Sequence, residues 1–207
     1  MNAMNTWMKR LITIAAAVLL ASSLAVSQAF AATGNQGYAV YRDGVAGNLN
    51  WHAAIMDDPH WNTTGLPVIQ HSGSGYVKWD TWANFIAGET YMGTWKPKGS
   101  PTSANRDLFK SRARFLKDEQ IPYTVYHQVD YNVSTSGTWV DLSEITKIRC
   151  DGVIEYTYEW YGFRVYGGDS DWDVTKVGSA NRSRHYITNI GPKGQTSYLT
   201  KVTSSLP

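Results

Sequence analysis

One cysteine, Cys150, stands in a chain of 207 residues, so no internal disulfide can form. In an oxidising compartment such a thiol is either buried and inert or kept for chemistry. An excess of charge is also missing. Nineteen basic residues face seventeen acidic ones, and two of the basic ones, Lys9 and Arg10, lie in an N-terminal segment expected to be removed. The remainder is formally neutral, which offers no electrostatic footing for nucleic acid. Beyond residue 31 there is no second long hydrophobic run, no internal repeat, no coiled coil and no Pro/Ser-rich linker. Nucleotide motifs are lacking too: Gly73 and Gly75 have no third glycine, and no Gly-Lys-Ser/Thr follows a glycine-rich loop. Asp169, Asp171 and Asp173 imitate the start of a calcium loop, but Val174 replaces its turn glycine and Ala180 its bidentate glutamate. They read as a solvated acidic turn. Two histidines and a thiolate would suit zinc, yet the close ligand pairs of such sites do not occur. Neither metal nor cofactor is expected.

What is present begins with a leader. Lys9 and Arg10 precede an uncharged apolar run from Leu11 to Val26 that ends near Ala29-Phe30-Ala31, the three parts of a secretory signal peptide. The run is short for a membrane span, and no cysteine lies nearby to carry a lipid. Residues 1–31 are thus expected to be a signal, and 32–207 a single soluble, monomeric domain that is secreted or held in the periplasm or cell wall, without stable membrane insertion. Roughly 175 residues can bury a real core.

The pattern predicts a mixed α+β chain. Short strands are expected at Tyr38 to Tyr41, Trp51 to Met56 and Val68 to His71, with Gly75 to Trp79 continuing after a turn. Asn105 to Gln120 carries Leu108, Phe109, Ala113 and Leu116 at helical spacing. A second helix is expected from Cys150, with Val153, Ile154 and Tyr161 on one face and Gly162 as its stop; the β-branched and aromatic content leaves a strand as the alternative. As a helix, it would put the thiol in the first turn, where free N–H groups and the dipole favour thiolate. A nearby imidazolium would strengthen that effect, and a third polar group would orient the imidazole.

Pro122-Tyr123 followed by Arg149-Cys150-Asp151-Gly152-Val153-Ile154-Glu155-Tyr156 resembles the nucleophile region of NlpC-type papain-like cysteine peptidases. Trp51-His52-Ala53-Ala54-Ile55-Met56, then Val68-Ile69-Gln70-His71 and a glycine-rich turn, resembles their two histidine strands. Here the histidines precede the cysteine, the order of the circularly permuted branch that includes lecithin:retinol acyltransferase-like enzymes. The resemblance covers roughly residues 37–162. It implies a papain-like fold in which an antiparallel sheet packs on helices, with the nucleophile at a helix N-terminus. It further implies Cys150 as nucleophile, His52 as general base and acid, His71 as the residue orienting His52, Tyr123 beside the substrate carbonyl, and the Cys150 N–H in the oxyanion hole. Arg149 replaces a common aspartate, Asp151 a serine, and Ala53-Ala54 a Val-Gly pair. The long gap from Tyr123 to Cys150, explicable by an insertion around Tyr131 to Asp141, leaves Tyr126 as a substitute for Tyr123.

Each residue also has a purely structural reading. Free cysteine is among the most buried residue types, a histidine between apolar neighbours can be a core residue, and His71 could simply end a strand. His60, His127 and His185 lack a motif and read as surface residues; Glu155 and Glu159 read as the solvated side of the cysteine helix. The activity implied is amide hydrolysis in peptidoglycan stem peptides or a peptide-like small substrate, at a bond between D-glutamate and a diamino acid, through a thioester. Alternatives are a lipid acyl hydrolase or acyltransferase, and a non-catalytic wall-binding module using Trp79, Trp82 and Trp95 as platforms.

Overall fold

A computed structural model of the chain describes residues 34–58, 65–132 and 138–207. The leader, His60 and the middle of the expected insertion lie outside them. Eight strands form two sheets: β1 (Ala39–Arg42), β2 (His52–Met56), β3 (Val68–Gln70), β4 (Lys78–Asp80), β5 (Tyr91–Lys96), β6 (Val129–Tyr131), β7 (Ile145–Ile148) and β8 (Thr200–Thr203). The larger sheet is antiparallel in the order β4-β3-β2-β1-β5-β8, so the first four strands form a meander, while β6 and β7 make a separate antiparallel ribbon. The helices are α1 (Trp82–Ile86), α2 (Ser103–Asp118), α3 (Cys150–Glu159), α4 (Ser179–Arg184) and α5 (Pro192–Gln195). The chain is therefore α+β, with an antiparallel sheet packed against helices, and the cysteine run is a helix rather than a strand. No helix among the described residues is long and apolar enough to cross a membrane.

Register decides the faces. Ala39, Tyr41, Ala53, Ile55 and Ile69 join Phe109, Ala113 and Leu116 of α2 and Val153, Ile154, Tyr156 and Tyr158 of α3 in one core. Tyr38, Val40, Ala54, Met56 and Val68 form a second core with Phe85 of α1. Both faces of β1 and β2 are covered, which is why those strands read as near-continuous apolar runs without alternation.

Helix α2 begins at Ser103 rather than near Asn105 because Thr102 caps it: its Oγ1 accepts from the Asn105 N–H, and the Asn105 side chain accepts from the Thr102 N–H. Its buried stripe is Phe109, Ala113 and Leu116, whereas Leu108, expected on that face, is 42% exposed. The i, i+4, i+7 set defines the stripe's centre, and Leu108 falls on its flank. Arg114 fixes this rotation by a bidentate pair with the buried Asp57, which follows β2.

Every residue of α3 is buried. Glu155 and Glu159, expected on a solvated side, instead face polar partners inside the fold. Glu159 accepts from the N–H groups of Val165 and Val174 at 3.0 and 2.8 Å. Glu155 accepts from Gln128 and Gln195 and lies 3.1 Å from Nε2 of His185, a residue that is 2% exposed and not on the surface. Sequence periodicity reports polarity, and a polar stripe facing other polar groups looks the same as one facing water.

The ribbon β6–β7 runs straight into α3. Gln128, just ahead of β6, accepts from the Arg149 N–H at 2.9 Å, and a Cβ on Gly152 would stand only 2.0 Å from that same carbonyl oxygen. Gly152→Ala should gain about 1 kcal/mol of helix propensity but lose about 3 kcal/mol or more to this backbone clash. A urea melt should therefore show net destabilisation; equal or greater stability would mean that α3 and β6 do not approach this closely.

Candidate active site

The site grows from the first residues of β2. His52 pairs in register with Arg42 on β1, and Ala54 pairs with Gln70 on β3. Positions 52, 54 and 70 therefore share a face, since side chains alternate along a strand. On it, Nε2 of His52 lies 2.6 Å from Oε1 of Gln70, and the ring packs tilted on Phe85 at 5.6 Å. Gln70 Nε2 donates to Asp80 Oδ2 at 2.7 Å. A carboxylate can only accept, so Asp80 fixes which end of the Gln70 amide points at histidine, and the amide oxygen then requires a proton on His52 Nε2. Nδ1 is left as the basic nitrogen. Asp80 is held in place by the Thr81 N–H, Asn84 and Lys78. Burial pushes its pKa up, but the hydrogen bonds from Asn84, Lys78, Gln70 and Thr81 outweigh this and hold it below the usual carboxylate range.

The orienting position expected of His71 is thus filled by its neighbour Gln70. His71 lies one residue beyond β3, fully buried, its ring 4.8 Å from that of Tyr123. Neither of its nitrogens has a hydrogen-bond partner of normal geometry, although the carbonyls of Ile121 and Pro122 lie close enough to oppose the desolvation that lowers its pKa to about 4. Desolvation likewise lowers His52 to about 4 against the pull of Gln70.

Cys150 is the first residue of α3, 2% exposed. Its helix lies on the opposite side of the sheet from Phe85, and so from the face that carries the His52 and Gln70 side chains. The thiol lies against the backbone N–H of Ala53, the residue after His52. Burial and the Asp151 carboxylate raise its pKa to about 12, while the N–H groups of Ala53 and Asp151 and the Arg149 guanidinium pull it down. The activated thiolate expected from the helix dipole is therefore not the resting form, because desolvation exceeds the dipole and the N–H donors. No direct sulfur-to-imidazole hydrogen bond is formed among the described residues. At rest the site holds a neutral thiol and a neutral imidazole.

Tyr123 is half-buried, and after burial the Cys150 sulfur is the next influence raising its hydroxyl pKa, which places it within electrostatic reach of the thiol. Tyr126 faces away, 58% exposed and stacked on Tyr186 at 6.1 Å. Trp95 is buried and Trp79 and Trp82 are partly buried, packed into the two cores rather than free as platforms.

Beside the thiol stands a buried ion pair that motif reading did not find. Arg149 Nε and Nη2 donate to the two oxygens of Asp151 at 2.6 and 2.8 Å, and Arg149 also donates to the carbonyls of Tyr126 and Ile190. Alternation of charge around Cys150 was the only signal for it. The Asp173 carboxylate, from the calcium-like triplet, is used by Thr175 and Arg164. The described residues contain no group of three or more His, Cys, Asp or Glu that could hold a metal ion.

The depressed histidines make stability sensitive to acid. Between about pH 4 and 6.5 the unfolded chain binds protons at both positions and the folded chain does not, so stability is full above the unfolded value and is lost as pH falls toward 4. For His52 alone this amounts to about 3 kcal/mol. Guanidinium melts at pH 7 and pH 4.5 should show the loss, and His71→Phe, which packs on Tyr123 but cannot protonate, should reduce it. A melt unchanged over this range would show that neither ring is desolvated.

No family model, no curated protein and no solved structure matches this chain.

Proposed function

We propose that the chain is an exported cysteine hydrolase of the circularly permuted NlpC-type papain-like kind, cleaving amide bonds in peptidoglycan stem peptides through Cys150, His52 and Gln70. The observation that carries this reading is the relay from Asp80 through Gln70 to His52. It fixes one imidazole tautomer with two buried polar side chains and leaves Nδ1 as the basic nitrogen, one residue before the Ala53 N–H against which the thiol lies. A core histidine needs a hydrogen bond, but it does not need a buried carboxylate relay to fix its tautomer.

The chemistry follows from the neutral pair. As the sulfur adds to the substrate carbonyl, its proton passes to His52 Nδ1, and Gln70 Oε1 holds the charged ring through Nε2–H. The oxyanion lies against first-turn N–H groups of α3, which have no intrahelical acceptor. Collapse breaks the C–N bond, the amine leaves with the proton from His52, and a thioester remains on Cys150. Water, deprotonated by the same imidazole, then releases the acid. At rest the His52 ring packs on Phe85, so the proton transfer requires that ring to turn toward the thiol when substrate binds.

The test is intact-mass analysis after mixing with purified muropeptides and quenching in acid. The expected result is an acyl adduct on Cys150 together with released peptide, with kcat/KM rising through about pH 4 as His52 becomes neutral and then staying flat into the alkaline range. An acid limb near pH 6 to 7 would contradict the neutral pair. Absence of any adduct or cleavage would overturn the reading in favour of a passive, buried thiol.

A further inference from the structure

A cavity of about 520 Å³ is lined by Asn50, Trp51 and the segment from Ile187 to Ser197. None of Cys150, His52 and Gln70 lines it, but both of its walls are joined to the chain next to them. Asn50 and Trp51 lead directly into His52, and Trp51 is braced against Tyr41 and Trp95 at 6.4 and 6.1 Å. The other wall is tied to the start of α3: the Ile190 carbonyl accepts from Arg149 Nη2 at 2.8 Å, and Gln195 Nε2 donates to the Asp151 carbonyl at 3.0 Å. Those two bonds bracket Cys150 in sequence. Gln195 is held in turn by the Tyr41 hydroxyl at 2.7 Å, so this wall is fixed to both the sheet and the helix.

The lining combines amides, hydroxyls and glycine backbone with the apolar Trp51, Ile187 and Ile190, and its single charged side chain is Lys193. Lys193 is exposed, and among the described residues it has no ion-pair partner. The acidic side chains of the neighbouring helix α3 that meet this wall are already used: Asp151 by Arg149 and Gln128, and Glu155 by His185, Gln128 and Gln195. Lys193 thus offers an unpaired ammonium on the wall of a cleft that is tied by hydrogen bonds to both chain neighbours of Cys150.

We propose that this cleft is the substrate-binding site and that Lys193 selects peptide amides carrying a free carboxylate close to the scissile carbonyl. The inference rests on the hydrolase reading for its substrate class, but the binding itself does not require turnover. Trp51 supplies an apolar wall for the substrate backbone, and Asn50, Thr188 and Asn189 supply hydrogen-bond partners for its amides. Lys193 supplies the point charge that distinguishes a free acid from its amide.

Binding is measured by calorimetry on the Cys150→Ala protein, using a stem-peptide muropeptide as its free acid and as its carboxamide. The acid should bind about fivefold to tenfold more tightly, as expected for a partly exposed ion pair, and the preference should shrink as salt is raised. Lys193→Gln should abolish the preference and Lys193→Arg should keep it. Equal affinities for acid and amide, a preference that survives in Lys193→Gln, or no binding of either form would each overturn the inference. Turnover by the wild type is scored separately. Cleavage without a Lys193-dependent preference removes only this proposal, and acid-selective binding without cleavage removes only the hydrolase.

Discussion

Alanine at Cys150 or at His52 should lower kcat/KM on a muropeptide by about 10⁴-fold or more, and the two changes together should cost scarcely more than either alone, because a proposed nucleophile and its base would act as one unit. Gln70→Ala has a smaller effect of predictable size. It removes a 2.6 Å hydrogen bond to a ring that becomes charged during attack, and such bonds are worth about 1.5–3 kcal/mol, which corresponds to roughly ten- to 150-fold in rate. Gln70→Glu should do no better. Its new carboxylate would face Asp80 Oδ2 at the distance where the Gln70 amide now donates, so two like charges would share one buried site. His71→Ala separates the two candidates for the orienting role, since it deletes packing on Tyr123 but no bond to His52. Its kcat/KM should fall less than threefold while its melting temperature drops. Should His71→Ala instead match the loss at His52 while Gln70→Ala is silent, the relay read from the geometry is wrong.

The sequence order of these residues located the region but not the partner. Cys150, His52 and Tyr123 were singled out by short motifs, and the structure sets Cys150 at the start of a helix, against the residue after His52. The third position was assigned to His71, whereas the hydrogen bond to His52 comes from Gln70, because a histidine draws attention and a glutamine does not. Strand parity held the answer: a side chain on β3 reaches His52 only if it shares the face of Ala54, and the register pairs Ala54 with Gln70. That register depends on the turn between β2 and β3, which composition does not determine. The buried charges were less legible still. Asp151, Glu155 and Glu159 recur at helical spacing, which marks a polar stripe, but the groups that meet them come from other segments: Gln128, His185 and Gln195 for the first two, and the Val165 and Val174 N–H groups for Glu159. The resting ionisation of the thiol was misread for a related reason. The helix start is visible in sequence, whereas the depth of burial that opposes it is a property of the assembled core.

Arg149→Ala should be the most destabilising single change in the chain, by about 3–5 kcal/mol, because it leaves the carboxylate of Asp151 buried without its cation. Both residues are fully buried, and the bidentate bonds of 2.6 and 2.8 Å cannot be replaced by water. The carbonyls of Tyr126 and Ile190 lose a donor at the same time. Gln128 Nε2, at 3.1 Å from Asp151 Oδ2, is a neutral donor and compensates only in part. For a domain with typical stability of about 5–15 kcal/mol, this loss brings the fold close to its limit. The double variant Arg149→Ala with Asp151→Ala removes the stranded charge, so it should be no less stable than Arg149→Ala alone, and well above the sum of the two single losses. Urea melts of the four proteins give the coupling energy directly. Additive losses would mean that the pair is solvated and not sealed. Coupling would show that the start of α3 and the wall carrying Ile190 are held by one interaction, so that the proposed nucleophile and its cleft lose their alignment together when the arginine is removed.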